Sequence, residues 1–178
     1  RSTGVLYVLD EPSIGLHPAN VDGLVSVMRD LVADGNTVVV VDHDTRVLAE
    51  ADYLVEMGPA AGAAGGNVLS TGTVDEVSDA PESRIAPFLR TSPQRLRPII
   101  AEDELFDHGH IRMEMGAIHT VKPLEVDIPR GRLTAVTGVS GSGKTTLVLE
   151  TLIPALKAQA AGECVPRHVR WIDAEGIA

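Results

Sequence analysis

Nine residues, Gly138 to Thr146, carry the densest chemistry in the sequence. Gly138, Gly143, Lys144 and Thr145 occupy the fixed positions of G-x-x-x-x-G-K-[ST]; Ser140, Gly141 and Ser142 lie between them and Thr146 follows. Glycines let a backbone curl so that successive N–H groups face one concavity. A helix leaving that curl adds the positive end of its dipole. Such a cradle suits phosphate oxygens. Lys144 can reach the outer phosphates, and the Thr145 hydroxyl can ligate Mg²⁺. ATP with Mg²⁺ is the ligand this pattern predicts.

Two smaller constellations fit the same chemistry. Asp10-Glu11 closes an apolar run and reads as a Walker B pair. Asp10 is placed to hold Mg²⁺ and Glu11 to polarise an attacking water as general base. His43 closes the next apolar run and can hydrogen-bond a γ-phosphate or that water. His17 is a weaker candidate. His108, His110, His119 and His168 read as surface or linker residues. Gly62, Gly65 and Gly66 lack phosphate-loop spacing and read as a turn.

The elements that must position these groups follow from the apolar pattern. Residues 5–9 are apolar without alternation, which predicts a strand covered on both faces. Pro12 and Gly15 break it. Val21, Leu24, Val25, Met28, Leu31 and Val32 recur at three and four, predicting a helix over 19–34 that Gly35-Asn36 ends. A second apolar strand spans 37–41. A short helix over 45–51 follows, capped by Asp44, and then a strand over 53–57. Strands alternating with helices, with chemical residues at strand ends, point to an open α/β sheet. Residues 58–66 read as a loop, 68–73 as a short edge strand and 81–89 as holding a short helix.

Residues 91–110 are polar, Pro-spotted and aperiodic, and read as a linker. The pattern then restarts. Strands are predicted over 111–115 and 124–128. A turn at Pro129-Arg130-Gly131 leads into a buried strand over 133–137 and so into the glycine loop. The helix after the loop runs to about residue 160 with a kink at Pro154, and a last strand covers 168–173.

Composition narrows the class. The chain has 178 residues, room for one ordinary domain. Aromatics are only 3%, so a core must be built from Val, Leu, Ile and Ala. A formal net charge of −10 argues against this segment forming a nucleic-acid surface by itself. The single Cys164 allows neither an internal disulfide nor a zinc cluster. No apolar run reaches membrane-spanning length and no signal peptide is visible, which fits a cytoplasmic protein. There is no initiating Met, and Arg1 leads almost directly into a strand, so the chain reads as part of something longer.

The order of the motifs is inverted. A phosphate loop normally precedes its Walker B carboxylates, whereas Asp10 and Glu11 precede Lys144. Either the domain is circularly permuted, or the end of one nucleotide-binding unit is joined to the start of a second. The restart after the linker favours the second reading.

These residues resemble a family. Leu9-Asp10-Glu11-Pro12-Ser13-Ile14-Gly15-Leu16-His17 looks like the Walker B and D-loop of the UvrA family, the damage-recognition ATPases of bacterial excision repair. Residues 35–44, ending Asp42-His43-Asp44, resemble that family's H-loop, with Asp42 where Glu is usual. Ala51-Asp52-Tyr53 and Gly58-Pro59-Ala60-Ala61-Gly62 continue the match, and residues 137–144 resemble the phosphate loop opening its second cassette. The stretch from Pro81 to Ser83 is similar to a drug-tolerance branch of the family.

The resemblance implies an α/β P-loop NTPase of the ABC ATPase type, with a mainly parallel sheet, flanking helices and incomplete cassettes. Residues 1–90 would end a first cassette, and 111–178 would begin a second. Asp10, Glu11 and His43 would then serve one ATP site, and Gly138 to Thr146 another. It further implies damaged DNA and UvrB as partners, a homodimer, no membrane, and zinc in the complete protein outside this chain. The family places a Gln after the last strand, where Ala174-Glu175-Gly176 stands. Two other classes compete: the ATPase subunit of an ABC transporter, against which the Ser13 to His17 loop argues, and a non-catalytic nucleotide-binding module. The isolated chain, with each site half built, is expected not to hydrolyse ATP.

Overall fold

A computed structural model describes residues 3–60, 62, 65–90 and 100–173. In chain order the elements are β1 (Leu6–Asp10), α1 (Pro18–Ala33), β2 (Thr37–Val41), α2 (Thr45–Ala49), β3 (Tyr53–Gly58), β4 (Asn67–Gly72), α3 (Val74–Asp79) and α4 (Ala86–Leu89). A short 3₁₀ turn at Glu102–Glu104 precedes β5 (His110–Met115), β6 (Leu124–Pro129) and β7 (Leu133–Gly138). A π-helical segment, Thr146–Leu152, runs into α5 (Ile153–Ala161), and β8 (Val169–Asp173) follows.

The strands form two sheets. A five-stranded sheet has the order β1-β2-β7-β3-β4; its first four strands are parallel neighbours, and β4 joins β3 antiparallel. A three-stranded antiparallel sheet has the order β6-β5-β8. β7, which leads into the glycine loop, therefore sits between β2 and β3, although some ninety residues separate it in sequence from β2.

All five residues of β2 are buried, and alternate ones serve different cores. Val38 and Val40 pack with Val21, Val25 and Met28 of α1 and with Val47 and Leu48 of α2. Val39 and Val41 pack on the other face with Val136, Leu147 and Leu152 and with Ile111 and Met113 of the small sheet. Three layers result: helices, the main sheet, then α5 with the three-stranded sheet. Such β-branched runs suit a pleated surface buried on both sides. No helix among the described residues is long and apolar enough to cross a membrane.

The structure departs from the sequence reading in four places. β1 is covered only in part on each face: Leu6 and Val8 pack against one core and Tyr7 and Leu9 against the other, at the edge of the sheet, with Asp10 exposed. The segment before β5 is packed where it is described: Leu105 is buried, and Phe106 meets the Tyr53 and His110 rings edge-on. Residues 91–99 and 174–178 lie outside the described residues. An unpredicted helix, α3, is closed by a full capping box between Thr73 and Glu76. The helix after the glycine loop begins in π form. Pro154 has no N–H to offer the carbonyl four residues back, and the turn ahead of it widens.

Candidate functional site

β7 delivers the glycine loop to the carboxyl edge of the parallel strands, where β1 and β2 also end. Gly138 has φ 140° and faces Met57 on β3, with which it is in register. A Cβ there would collide with the Met57 carbonyl oxygen, so only glycine lets the backbone turn this close to its neighbour. Gly143, at φ 100°, is packed against the Val121 side chain. The Gly62 N–H donates to the Gly141 carbonyl at 3.2 Å, and the Gly66 N–H to the Ser142 carbonyl at 3.1 Å. The loop is thus braced by the 58–66 connection.

Lys144 is folded into this loop. Its side chain is buried, and Nζ donates to the carbonyls of Gly138 at 3.1 Å and Val139 at 3.2 Å. Among the described residues, its hydrogen bonds thus go to the carbonyls of the glycine loop itself. The Ser142 hydroxyl is buried with no protein partner among the described residues. Ser140, Gly141 and Thr145 are exposed, and Thr146 is half-buried at the start of the π segment.

Asp10 ends β1, opposite Val41 of β2. Glu11 then turns the chain with φ 48°, a value uncommon outside glycine, and its N–H donates to the Val41 carbonyl at 2.7 Å. Two residues on, Ser13 is held by Asp42. The Ser13 hydroxyl donates to Oδ1 at 2.6 Å and the Ser13 N–H to Oδ2 at 3.2 Å. Asp42 is fully buried. Its Oδ1 also accepts the backbone N–H groups of His43 at 2.7 Å and Asp44 at 3.0 Å. Its own N–H donates to the Val136 carbonyl of β7 at 3.1 Å.

Asp10, Glu11, His43 and the residues from Gly138 to Thr146 therefore gather at one sheet edge, and the junction between them is made by backbone and by Asp42. The imidazole of His43 is exposed above it. His17 serves the fold instead, its Nδ1 accepting the Ala19 N–H at 3.3 Å to cap α1. Asp44 caps α2 and pairs with Arg46 at 2.5 Å; the Arg46 guanidinium holds the Asp44 carboxyl below its ordinary value of 3.8. Of the other histidines, His108, His110 and His119 are exposed and His168 is half-buried. The Ser13–Asp42 clamp escaped the sequence reading. The signal for it was a short carboxylate set directly after a Val-rich strand.

No family model matches the chain. Among characterised proteins it is similar to UvrABC system protein A of Bacillus subtilis, 44% identical over 156 residues. The match covers 88% of this chain and 16% of that protein. The corresponding protein of Aquifex aeolicus is 44% identical over 152 residues, covering 85% and 16%. That of Thermus thermophilus is 42% identical over 154 residues, covering 86% and 16%. A crystal structure of UvrA2 from Deinococcus radiodurans matches with 40% identity over 89% of this chain and 19% of that one, at a TM-score of 0.48. The chain thus spans about a sixth of the length of the curated relatives it matches. At this level of identity along most of its length, the sequence belongs to the UvrA family of ABC-type ATPases and corresponds to one segment of its members.

Proposed function

We propose that this chain is the ATP-binding portion of a UvrA-like ATPase that recognises DNA damage in nucleotide excision repair. The observation that carries the reading is the glycine loop at the end of β7, with buried Lys144 turned into it. In this role the loop N–H groups and Lys144 hold the phosphates of ATP. The hydroxyl of Thr145 and, at a Walker B site, the carboxylate of Asp10 hold Mg²⁺. These hard oxygen donors suit that ion, which is commonly bound through one or two carboxylates together with substrate phosphates. When bound, the ion neutralises charge on the transferred phosphoryl group. Glu11 orients and deprotonates the attacking water, and His43 hydrogen-bonds the γ-phosphate.

In the complete protein, residues 1–90 close a first cassette and 111–178 open a second, with the intervening segment joining them. Damaged DNA, UvrB and a second copy of the protein are its partners, and the cytoplasm is its place of work. The names of the curated relatives support this reading over a transporter ATPase.

Titration calorimetry with ATP tests the loop. Lys144→Ala removes the cation nearest the outer phosphates and is expected to abolish measurable binding at that site. Unchanged affinity at every site would sink the assignment of Gly138 to Thr146.

A further inference from the structure

We propose that Asp42 is a positioning residue for ATP hydrolysis, fixing the Glu11 carboxylate relative to His43 by way of Ser13. The inference rests on the reading of Glu11 as general base and deepens it. It concerns only the loops after β1 and β2, which that reading gives to one ATP site. The glycine loop has no part in it.

The bonding of Asp42 is the first argument. Its side chain is fully buried. A buried carboxyl group needs hydrogen bonds to replace the water it has lost. Oδ1 accepts the Ser13 hydroxyl at 2.6 Å, the His43 N–H at 2.7 Å and the Asp44 N–H at 3.0 Å, and Oδ2 accepts the Ser13 N–H at 3.2 Å. These donors belong to the two loops that carry Glu11 and His43. A buried network that shares one acceptor atom shifts as a unit.

The second is the backbone at Glu11, whose φ of 48° lies in the left-handed region. Residues with side chains hold such a conformation only where their surroundings over-determine it. Here the Glu11 N–H donates to the Val41 carbonyl at 2.7 Å, and the Ile14 N–H donates back to the Glu11 carbonyl at 3.1 Å. Asp42 holds Ser13 twice. Consecutive residues of one chain, Val41 and Asp42, thus grip the turn before and after Glu11. Releasing the Ser13 end lets the turn relax, and the Glu11 carboxylate swings with it.

The third is what the chemistry requires. A general base must stand within hydrogen-bond reach of the water it deprotonates. That water is aligned on the γ-phosphate, the group assigned to His43. The relative placement of Glu11 and His43 therefore governs the chemical step, while ATP binding does not depend on it.

The test uses a complete UvrA-family protein carrying this segment, with ATP affinity and single-turnover hydrolysis measured separately. Ser13→Ala removes the hydroxyl. Asp42→Asn keeps an acceptor for His43 and Asp44 but sets an amide donor against the Ser13 N–H. Each should slow hydrolysis about 10–100-fold, the usual effect of disturbing the partner that orients an active group, with ATP affinity retained. Ser13→Thr, which restores the hydroxyl, should recover most of the rate. In a Glu11→Gln background, where no base remains to be positioned, Ser13→Ala and Asp42→Asn should slow hydrolysis no further. An equal further loss in that background, a loss of affinity in place of rate, or unaltered rates in both variants beside a slow Glu11→Gln would overturn the positioning role and leave Glu11 as base. If Asp42→Asn does not fold, Ser13→Ala and Ser13→Thr decide alone. A normal rate in Glu11→Gln itself would overturn both readings.

Discussion

Arg29 on α1 donates a 2.8 Å hydrogen bond to Asp52, whose other oxygen accepts the Leu133 N–H at 2.7 Å. The Asp52 N–H in turn donates to the Leu133 carbonyl at 2.8 Å. One carboxylate therefore ties α1, the start of β3 and the start of β7 together at the edge of the sheet opposite the glycine loop. Both partners are largely buried, and Arg29 also reaches the Glu50 carbonyl. Removing Asp52 leaves the buried Arg29 charge with only the Glu50 carboxylate, 3.9 Å away, and breaking such a buried pair costs up to about 3–5 kcal/mol. Asp52→Ala should lower the stability of the chain by that order in urea unfolding. A loss far smaller than this would mean that the three elements do not depend on the junction.

Glu11→Gln is expected to separate binding from chemistry in a complete UvrA-family protein carrying this segment. The amide keeps the shape of the side chain but cannot take a proton from water. Loss of a general base costs about 10²–10⁴-fold in rate. Single-turnover hydrolysis at that site should slow by this factor while ATP remains bound. A near-normal rate would remove Glu11 from the role of base.

Gly138→Ala tests the close approach between β7 and β3. The new methyl group would meet the Met57 carbonyl at a backbone angle that side chains rarely adopt. Alanine at an incompatible positive φ destabilises by more than about 1 kcal/mol. The thermal midpoint and nucleotide affinity should fall together. Gly23→Ala lies on α1 in open space and serves as a control, expected to leave nucleotide affinity unchanged.

Asp44 provides a pH signature. The hydrogen bond from Arg46 holds its carboxyl below the ordinary value of 3.8 in the folded chain. The folded state thus favours the ionised form. Its contribution is complete above 3.8 and is lost as pH falls through the lower folded value. Asp44 also caps α2, a role worth about 1 kcal/mol. The stability difference between the unaltered chain and Asp44→Ala should be full at neutral pH and shrink below pH 3.8. A difference that stays constant through acid would show that ionisation of Asp44 plays no part.

The strand, turn and helix around the glycine loop were legible because their information is local: residues 133–137 announce a buried strand, 138–144 a turn and the residues after it a helix. β2 was legible for a similar reason, its five residues announcing burial on both faces. The same kind of run at β1 announced packing on both faces, which its residues make, but not that this packing is partial. Apolar sequence reports a preference for burial, whereas an edge position is decided by which strands arrive as neighbours. The Ser13–Asp42 clamp bridges 29 positions, and a carboxylate after a strand does not name its distant partner. α3 was missed despite the Thr73 and Glu76 capping signature, because six residues are too few to show a helical repeat. Pro154 marked a disturbance in its helix, but the form it took depended on how the buried turn could widen around the missing donor.

The central seat of β7 also orders events during synthesis. β2 and β3 leave the ribosome first, with a strand-wide gap between them. Neither can complete its ladder on that side until about eighty more residues have been added and β7 arrives. Through that interval the nascent chain carries unpaired, Val-rich edges in its middle, the kind of surface that invites pairing with other chains. The last strand of the main sheet to be made is thus also its keystone, and maturation of the sheet waits on the same segment that carries the glycine loop.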